Sequence, residues 1–272
     1  MKANWVLESE LALKAISTSL SIIEGQTPEN IDFKNKGTPR DIVTELDIAV
    51  EKHIREILSS SGYQIIGEEG SKDNKLSISP DKPAWFIDPI DGTTNFISSL
   101  PFYAISAGLM LDSRFLTGAV VMPALKEIFF TMGDRGAFMN GKALKVHPAS
   151  LENSLIAASI SGRYSNKTAR RKEYDFFGII NDKSRGCLRT GCASFNICYV
   201  ASGRLQCAYG VANKLWDVAG AFPIALQAGC KAYIERVKGI NEISYVVGSG
   251  GAVDTIAEML REKKLADTKL VK

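Results

Sequence analysis

The chain has 272 residues, a net charge of +3, 45% hydrophobic and 23% charged residues, the composition of a folded globular protein rather than a disordered or fibrous one. It is long enough to bury one sizeable core or two small ones, and no stretch approaches the ~18 consecutive apolar residues that a membrane span needs. The small charge excess is dispersed along the chain, which argues against nucleic acid as a partner.

The opening segment is broken by Glu8 and Glu10 and does not read as a secretory signal. Residues 4–24 instead carry apolar side chains at helical spacing, ending at Gly25 and Pro28. Residues 31–40 read as a polar loop, and a second helix is expected from Thr44 to Gly62. A short strand at Gln64–Ile66 stops at Gly67-Glu68-Glu69-Gly70, and residues 71–83 form a polar connection. Trp85-Phe86-Ile87 is a buried strand that delivers Asp88. Strand-like runs at 103–111, 118–122, 127–132 and 136–139 are spaced as an antiparallel meander. Beyond Ser150 the pattern alternates: a strand at 155–160, a basic helix at 165–181, a strand near Cys187, helices at 193–202 and 217–228, a strand at 245–247 and a last helix at 252–263. This order implies an α+β or layered α/β/α arrangement. It makes a single unit over 1–272, with an N-terminal half over 1–150 and a C-terminal half over 151–272.

Five cysteines without a C-x-x-C pair suit reduced thiols in a cytoplasmic protein. Two histidines leave little material for histidine-based catalysis. The informative stretch is Asp88-Pro89-Ile90-Asp91-Gly92-Thr93-Thr94-Asn95-Phe96, with two carboxylates three residues apart at the end of an apolar strand. Carboxylate oxygens suit Mg²⁺, Mn²⁺ or Ca²⁺. If a helix starts there, the N–H groups of Gly92, Thr93 and Thr94 would form an anion site beside the cation ligands. The plainer alternative is a turn in which Asp88 caps a helix and Asp91 is solvated. Glu68-Glu69, Asp217 and Asp47 supply further acidic groups at strand ends and helix starts, although each alone also reads as a surface charge or a cap. Together they suggest a multi-metal centre.

The set closely resembles the inositol monophosphatase family of Mg²⁺-dependent, lithium-sensitive phosphatases. The family's G-E-E and D-P-[IL]-D-G-T-x-N-F motifs stand at Gly67–Glu69 and Asp88–Phe96, W-D-x-A-[AG] at Trp216–Gly220, and D-x-V-T-x-x-D at Asp41–Asp47. Arg189–Ser194 resembles the family's R-x-G-S-A-A stretch, with Cys192 replacing the usual Ser or Thr. The resemblance implies the layered α/β/α/β/α sandwich that the family shares with fructose bisphosphatase, a phosphomonoesterase using two to three Mg²⁺ ions, with Mn²⁺ as a substitute, and a homodimer acting on a small phosphorylated metabolite. Glu68, Asp88 and the Ile90 carbonyl would hold one ion, and Asp88, Asp91 and Asp217 a second. Glu68 would help a third, with Glu69 in support. Asp47 and Thr93 would orient and deprotonate the attacking water. Gly92, Thr93 and Thr94 would hold the phosphate, and Lys36 matches a loop lysine near the metals.

One position departs from the family. Inositol-specific members carry a Glu seven residues before the W-D aspartate, where this chain has Gly210. That puts inositol specificity in doubt and makes Asp91, Ala193, Ser194, Tyr209, Gly210, Asn213 and Lys214 the candidates for contact with the alcohol part of the substrate, with Gly210→Glu expected to restore a preference for inositol phosphate. Fructose bisphosphate, histidinol phosphate and nucleoside phosphates are alternative substrates within the superfamily. A silent phospholigand-binding protein and a two-metal nuclease are the remaining alternatives.

Overall fold

The computed structural model describes residues 5–26, 33–35, 42–70, 79, 81–160, 167–236 and 241–271. In chain order the first elements are α1 (Val6–Thr18), α2 (Leu20–Ile23), β1 (Phe33–Asn35), β2 (Ile42–Thr44), α3 (Glu45–Leu58), β3 (Gln64–Gly67), β4 (Ala84–Asp91) and α4 (Thr93–Ile97). The meander follows as β5 (Ala104–Leu111), β6 (Arg114–Met122), β7 (Glu127–Thr131), β8 (Ala137–Met139) and β9 (Lys142–Ala143). The remainder is β10 (Leu155–Ile160), α5 (Lys167–Lys183), β11 (Gly186–Leu188), α6 (Ala193–Ala201), β12 (Cys207–Lys214), α7 (Trp216–Ala219), α8 (Ala221–Gln227), β13 (Lys231–Arg236), β14 (Glu242–Gly248), α9 (Gly251–Glu262) and β15 (Lys269–Leu270).

Besides an antiparallel β1–β2 ribbon, these elements build two larger sheets. The first has the strand order β3-β4-β5-β6-β7-β8-β9 and is antiparallel except for the β3–β4 pair. The second has the order β11-β10-β12-β14-β13-β15. Every residue of β4 is buried, as expected for a strand covered on both faces. Its alternation sorts the two faces: Trp85 and Ile87 join Ile16, Val50 and Ile54 of α1 and α3, whereas Phe86 joins Phe195 and Phe222 of α6 and α8. On the far side of the second sheet, Phe176 of α5 and Ile256 of α9 pack with Ile156 and Val246. The result is a layered α/β/α/β/α arrangement with α6, α7 and α8 in the middle. Among the described residues, no helix is long and apolar enough to cross a membrane.

The expected helix at 217–228 is two helices, α7 and α8, meeting at Gly220. Their junction lies on the first sheet at backbone contact. A Cβ on Gly108 would stand 2.1 Å from the Ala219 carbonyl oxygen, and one on Gly118 would stand 2.1 Å from that of Gly220. Gly108 and Gly118 are cross-strand partners, so paired absences of side chain form the seat. The strands at β12 and β13 were not foreseen, and Phe33–Asn35 is a strand where a loop was expected.

Candidate active site

The carboxylates of Asp88 and Asp91 share a side of β4 because the strand is bulged between them. Asp88 pairs with Ser106 and Asp91 with Ala104, so three steps on β4 oppose two on β5. Residues three apart on a regular strand would face opposite ways, and the extra residue restores them to one side. Pro89, which has no N–H to give to a ladder, falls inside the bulge. The Ile90 N–H donates to Asp88 Oδ1 at 3.1 Å. Gly92 then turns the chain with a left-handed φ of 88°, a conformation that side chains oppose. Its carbonyl accepts from the N–H groups of Asn95 and Phe96 at 2.8 and 3.0 Å. The Thr93 hydroxyl donates to the Ile90 carbonyl at 2.9 Å.

Three other segments converge on this turn. Gly67 of β3 pairs in parallel with Ile87, so Glu68 and Asp88 leave adjacent strands side by side. The Ser194 N–H, in the first turn of α6, donates to Asp91 Oδ2 at 2.7 Å, and the Ser194 hydroxyl donates to the Asp217 carbonyl at 2.8 Å. Asp217 Oδ2 accepts from the Lys214 N–H at 3.1 Å. Ser194 thereby fixes the distance between Asp91 and α7. A contributor that sequence reasoning missed is Glu51 of α3, buried and ion-paired with Arg55 at 2.8 Å. Its carboxylate accepts the N–H groups of Glu69 and Gly70 at 2.8 and 3.0 Å, which shapes the bend carrying Glu68. The Glu51–Arg55 spacing was visible in the sequence, but on a helix it usually marks an exposed pair.

Electrostatics mark the cluster. Burial raises the Asp88 carboxyl well above the ordinary range, and the charges of Glu68, Asp91, Asp217 and Asp47 add to that rise. Burial raises Asp91 to about 6, against the opposing hydrogen bonds from Ser194 and Cys192, while the Glu68 charge raises it further. Carboxylates gathered where water is scarce disfavour their own ionisation, and a hard divalent cation would reverse the penalty. Carboxylate and carbonyl oxygens are the ligands such cations prefer, so the donor set fits Mg²⁺. Among the described residues, no three His, Cys, Asp or Glu side chains are already drawn into one coordination set.

The cleft over these groups has a volume of about 840 Å³. Glu68, Asp88, Ile90, Asp91 and Asp217 line it, as do Gly92, Thr93 and Thr94 of the turn. Ala193, Asn213 and Lys214 stand on its wall. Asp47 is buried beneath it, where Oδ2 accepts from the Thr44 N–H and hydroxyl at 2.8 and 2.5 Å in a capping box. Asp91 is buried, not the solvated turn residue of the plainer alternative. Glu69 sits on the bend behind Glu68, and Lys36 lies outside the described residues.

Three substrate-contact expectations are corrected: Ser194, Tyr209 and Gly210 are not on the cleft wall. Ser194 is fully buried between Asp91 and Asp217. Tyr209 turns into the core behind the second sheet, edge-on to Phe176. Gly210 lies under Asn213, because a bulge in β12 sets three residue steps against two on β14 and brings both positions to one side. A Cβ at 210 would stand 2.0 Å from Asn213 Oδ1 and 2.7 Å from the Tyr245 ring. Gly210→Glu therefore cannot supply a hydroxyl-binding carboxylate without displacing Asn213. Gly210→Ala should cost about 1–3 kcal/mol by overpacking, read as a lower midpoint in denaturant unfolding. Unchanged stability would show that the Asn213 side chain is free to move aside.

Residues 6–260 match the Inositol monophosphatase family. Inositol monophosphatase 1 of Sus scrofa is 32% identical over 211 residues, 76% of either chain. An IMPase of Thermotoga maritima superposes with a TM-score of 0.71 at 26% identity, covering 94% of this chain and 98% of that one. An IMPase/NADP phosphatase complexed with Mg²⁺ and phosphate shares the fold at 20% identity, with a TM-score of 0.77 over 93% and 95% of the two chains. A family match spanning nearly all of the chain thus coincides with a cleft that collects the separated acidic motifs, and the protein belongs to the inositol monophosphatase family and is a phosphoric monoester hydrolase.

Proposed function

We propose that this hydrolase uses Mg²⁺, two to three ions per chain, to cleave a small phosphorylated metabolite of the polyol, sugar or related kind, and that it works as a homodimer. The observation that carries the metal assignment is Asp88, buried among four other carboxylate charges that all oppose its ionisation. Glu68, Asp88, Asp91, Asp217 and the Ile90 carbonyl would hold the ions. Bound Mg²⁺ would neutralise the phosphate dianion and supply Lewis acidity, without a covalent intermediate.

The chain's own groups do the rest. The turn at Gly92–Thr94 presents backbone N–H groups to the phosphate, positioned before substrate arrives. The attacking water would pass a proton to Thr93 Oγ as that hydroxyl gives its own to the Asp47 carboxylate, which requires the Thr93 hydroxyl to turn from the Ile90 carbonyl, its partner at 2.9 Å, towards Asp47. Ser194 favours the ionised form of Asp91 through its 2.7 Å hydrogen bond, and Glu51 holds Glu68 in reach through the bend.

Phosphate release should vanish in excess chelator and return with Mg²⁺ or Mn²⁺, and Li⁺ should inhibit it. Full turnover in chelator would defeat the metal assignment. Metal-dependent turnover that is indifferent to Li⁺ would leave the chemistry intact and remove the lithium-sensitive reading.

A further inference from the structure

We propose that Glu51 is a positioning residue that sets the Mg²⁺ affinity of the Glu68 side of the site, with Arg55 as its partner. The inference rests on the metal reading and deepens it: a carboxylate that does not line the cleft decides how tightly the cleft holds an ion.

Glu68 stands where β3 has ended and the chain bends. A ligand binds a cation well only when groups behind it fix its orientation. Glu51 and Arg55 supply that fixation from one helix, on both sides of Glu68. After Glu68, the Glu69 N–H donates to Glu51 Oε2 at 2.8 Å and the Gly70 N–H to Oε1 at 3.0 Å. Before it, an Arg55 guanidinium N–H donates to the Ile65 carbonyl at 3.0 Å. The two grips are joined, because Arg55 Nε also donates to Glu51 Oε1 at 2.8 Å.

The sequence around Glu68 is fitted to this carboxylate. A Cβ on Gly67 would stand 2.5 Å from Glu51 Cδ and Oε2. One on Gly70 would stand 2.9 Å from Glu51 Oε1 and 2.5 Å from the Arg55 guanidinium. Neither glycine has a left-handed φ, so the backbone conformation does not demand glycine at either place. The space taken by Glu51 and Arg55 does. Burying a carboxylate is costly unless it is paired and hydrogen-bonded. Glu51 is only 4% exposed, and its bonds go to the bend that carries a proposed metal ligand. An ion pair that merely supported the helix would not need to be buried.

Asp47 lies one turn before Glu51 on α3, but it is held by its own capping box with Thr44. Disturbing Glu51 should therefore loosen Glu68 while leaving the proton acceptor in place. The effect belongs in metal affinity, not in the chemical step.

Glu51→Gln tests this. It keeps the size but replaces one acceptor oxygen with an amide donor, so a backbone N–H or Arg55 is left facing a donor. Titration calorimetry with Mg²⁺ should show at least one ion bound on the order of 10- to 100-fold more weakly, the range for lost partners behind a metal ligand. The Mg²⁺ concentration for half-maximal phosphate release should rise by a similar factor, and kcat at saturating Mg²⁺ should fall by much less. Gly67→Ala, whose methyl pushes the carboxylate off the bend without changing any charge, should weaken Mg²⁺ binding in the same direction. It decides the matter if circular dichroism shows Glu51→Gln unfolded. A folded variant that binds Mg²⁺ as wild type does overturns the inference, whether its kcat or its melting temperature has fallen, because Glu51 would then brace only the fold or the chemical step. A wild-type chain that binds no Mg²⁺ would overturn the metal reading itself.

Discussion

Asp88→Asn should reduce phosphate release to below about a thousandth of wild type while the protein still folds. A thousandfold loss is about 4 kcal/mol, within the several kcal/mol that a bound cation contributes to a charged transition state, and Asp88 is the side chain proposed to serve two ions. Asn keeps the shape and can still accept the Ile90 N–H that now reaches Oδ1 at 3.1 Å. Stability should move the other way in the metal-free protein. The folded-state pKa values of Asp88 and Asp91 are raised, so the folded protein holds these protons more tightly than the unfolded chain does. Their contribution therefore favours folding at low pH and turns against it as pH rises, for Asp91 between about 4 and about 6. Replacing Asp88 removes one charge from the group. The variant's melting temperature in chelator, measured against wild type, should rise from pH 5 to pH 7.5, and Mg²⁺ should reverse the order of the two proteins. Equal melting at both pH values would show that the repulsion around Asp88 is relieved within the protein itself.

Thr93→Ala should lower kcat on the order of 10²–10⁴-fold, the range for loss of a proton-transfer group. KM should change less, because the backbone N–H at 93 remains to hold phosphate. Thr93→Ser, which keeps the hydroxyl, should recover most of the rate. A rise in KM with kcat unchanged would move Thr93 from proton transfer to ligand holding, and failure of Ser to rescue would assign the effect to the methyl group and the packing of the turn.

The acidic motifs were legible because they lie at strand ends and helix starts, where composition changes abruptly. Asp88 follows an unbroken apolar run, and Asp47 stands three residues after Thr44 in a capping-box spacing that the structure shows formed. The bulges were not legible. Nothing in Asp88-Pro89-Ile90-Asp91 states that one residue is extra; that appears only when Ser106 and Ala104 supply the opposing register. The same limit explains Gly210. Counting back from Asp217 places 210 at the position of a family carboxylate, but the β12 bulge makes Asn213 the wall residue and Gly210 the floor beneath it. The strand itself escaped notice because Ala-Tyr-Gly-Val-Ala-Asn lacks the polar alternation of a half-exposed strand, being buried almost throughout.

The Asp88 cluster is proposed as the Mg²⁺ site on which the phosphatase chemistry of this cleft depends. Titration calorimetry of Mg²⁺ into wild type, Asp88→Asn and Asp217→Asn tests it without reliance on the substrate. At least two ions should bind per wild-type chain, fewer to Asp217→Asn and fewest to Asp88→Asn, with all three proteins retaining the same circular dichroism. Equal stoichiometry and affinity in all three would contradict the account.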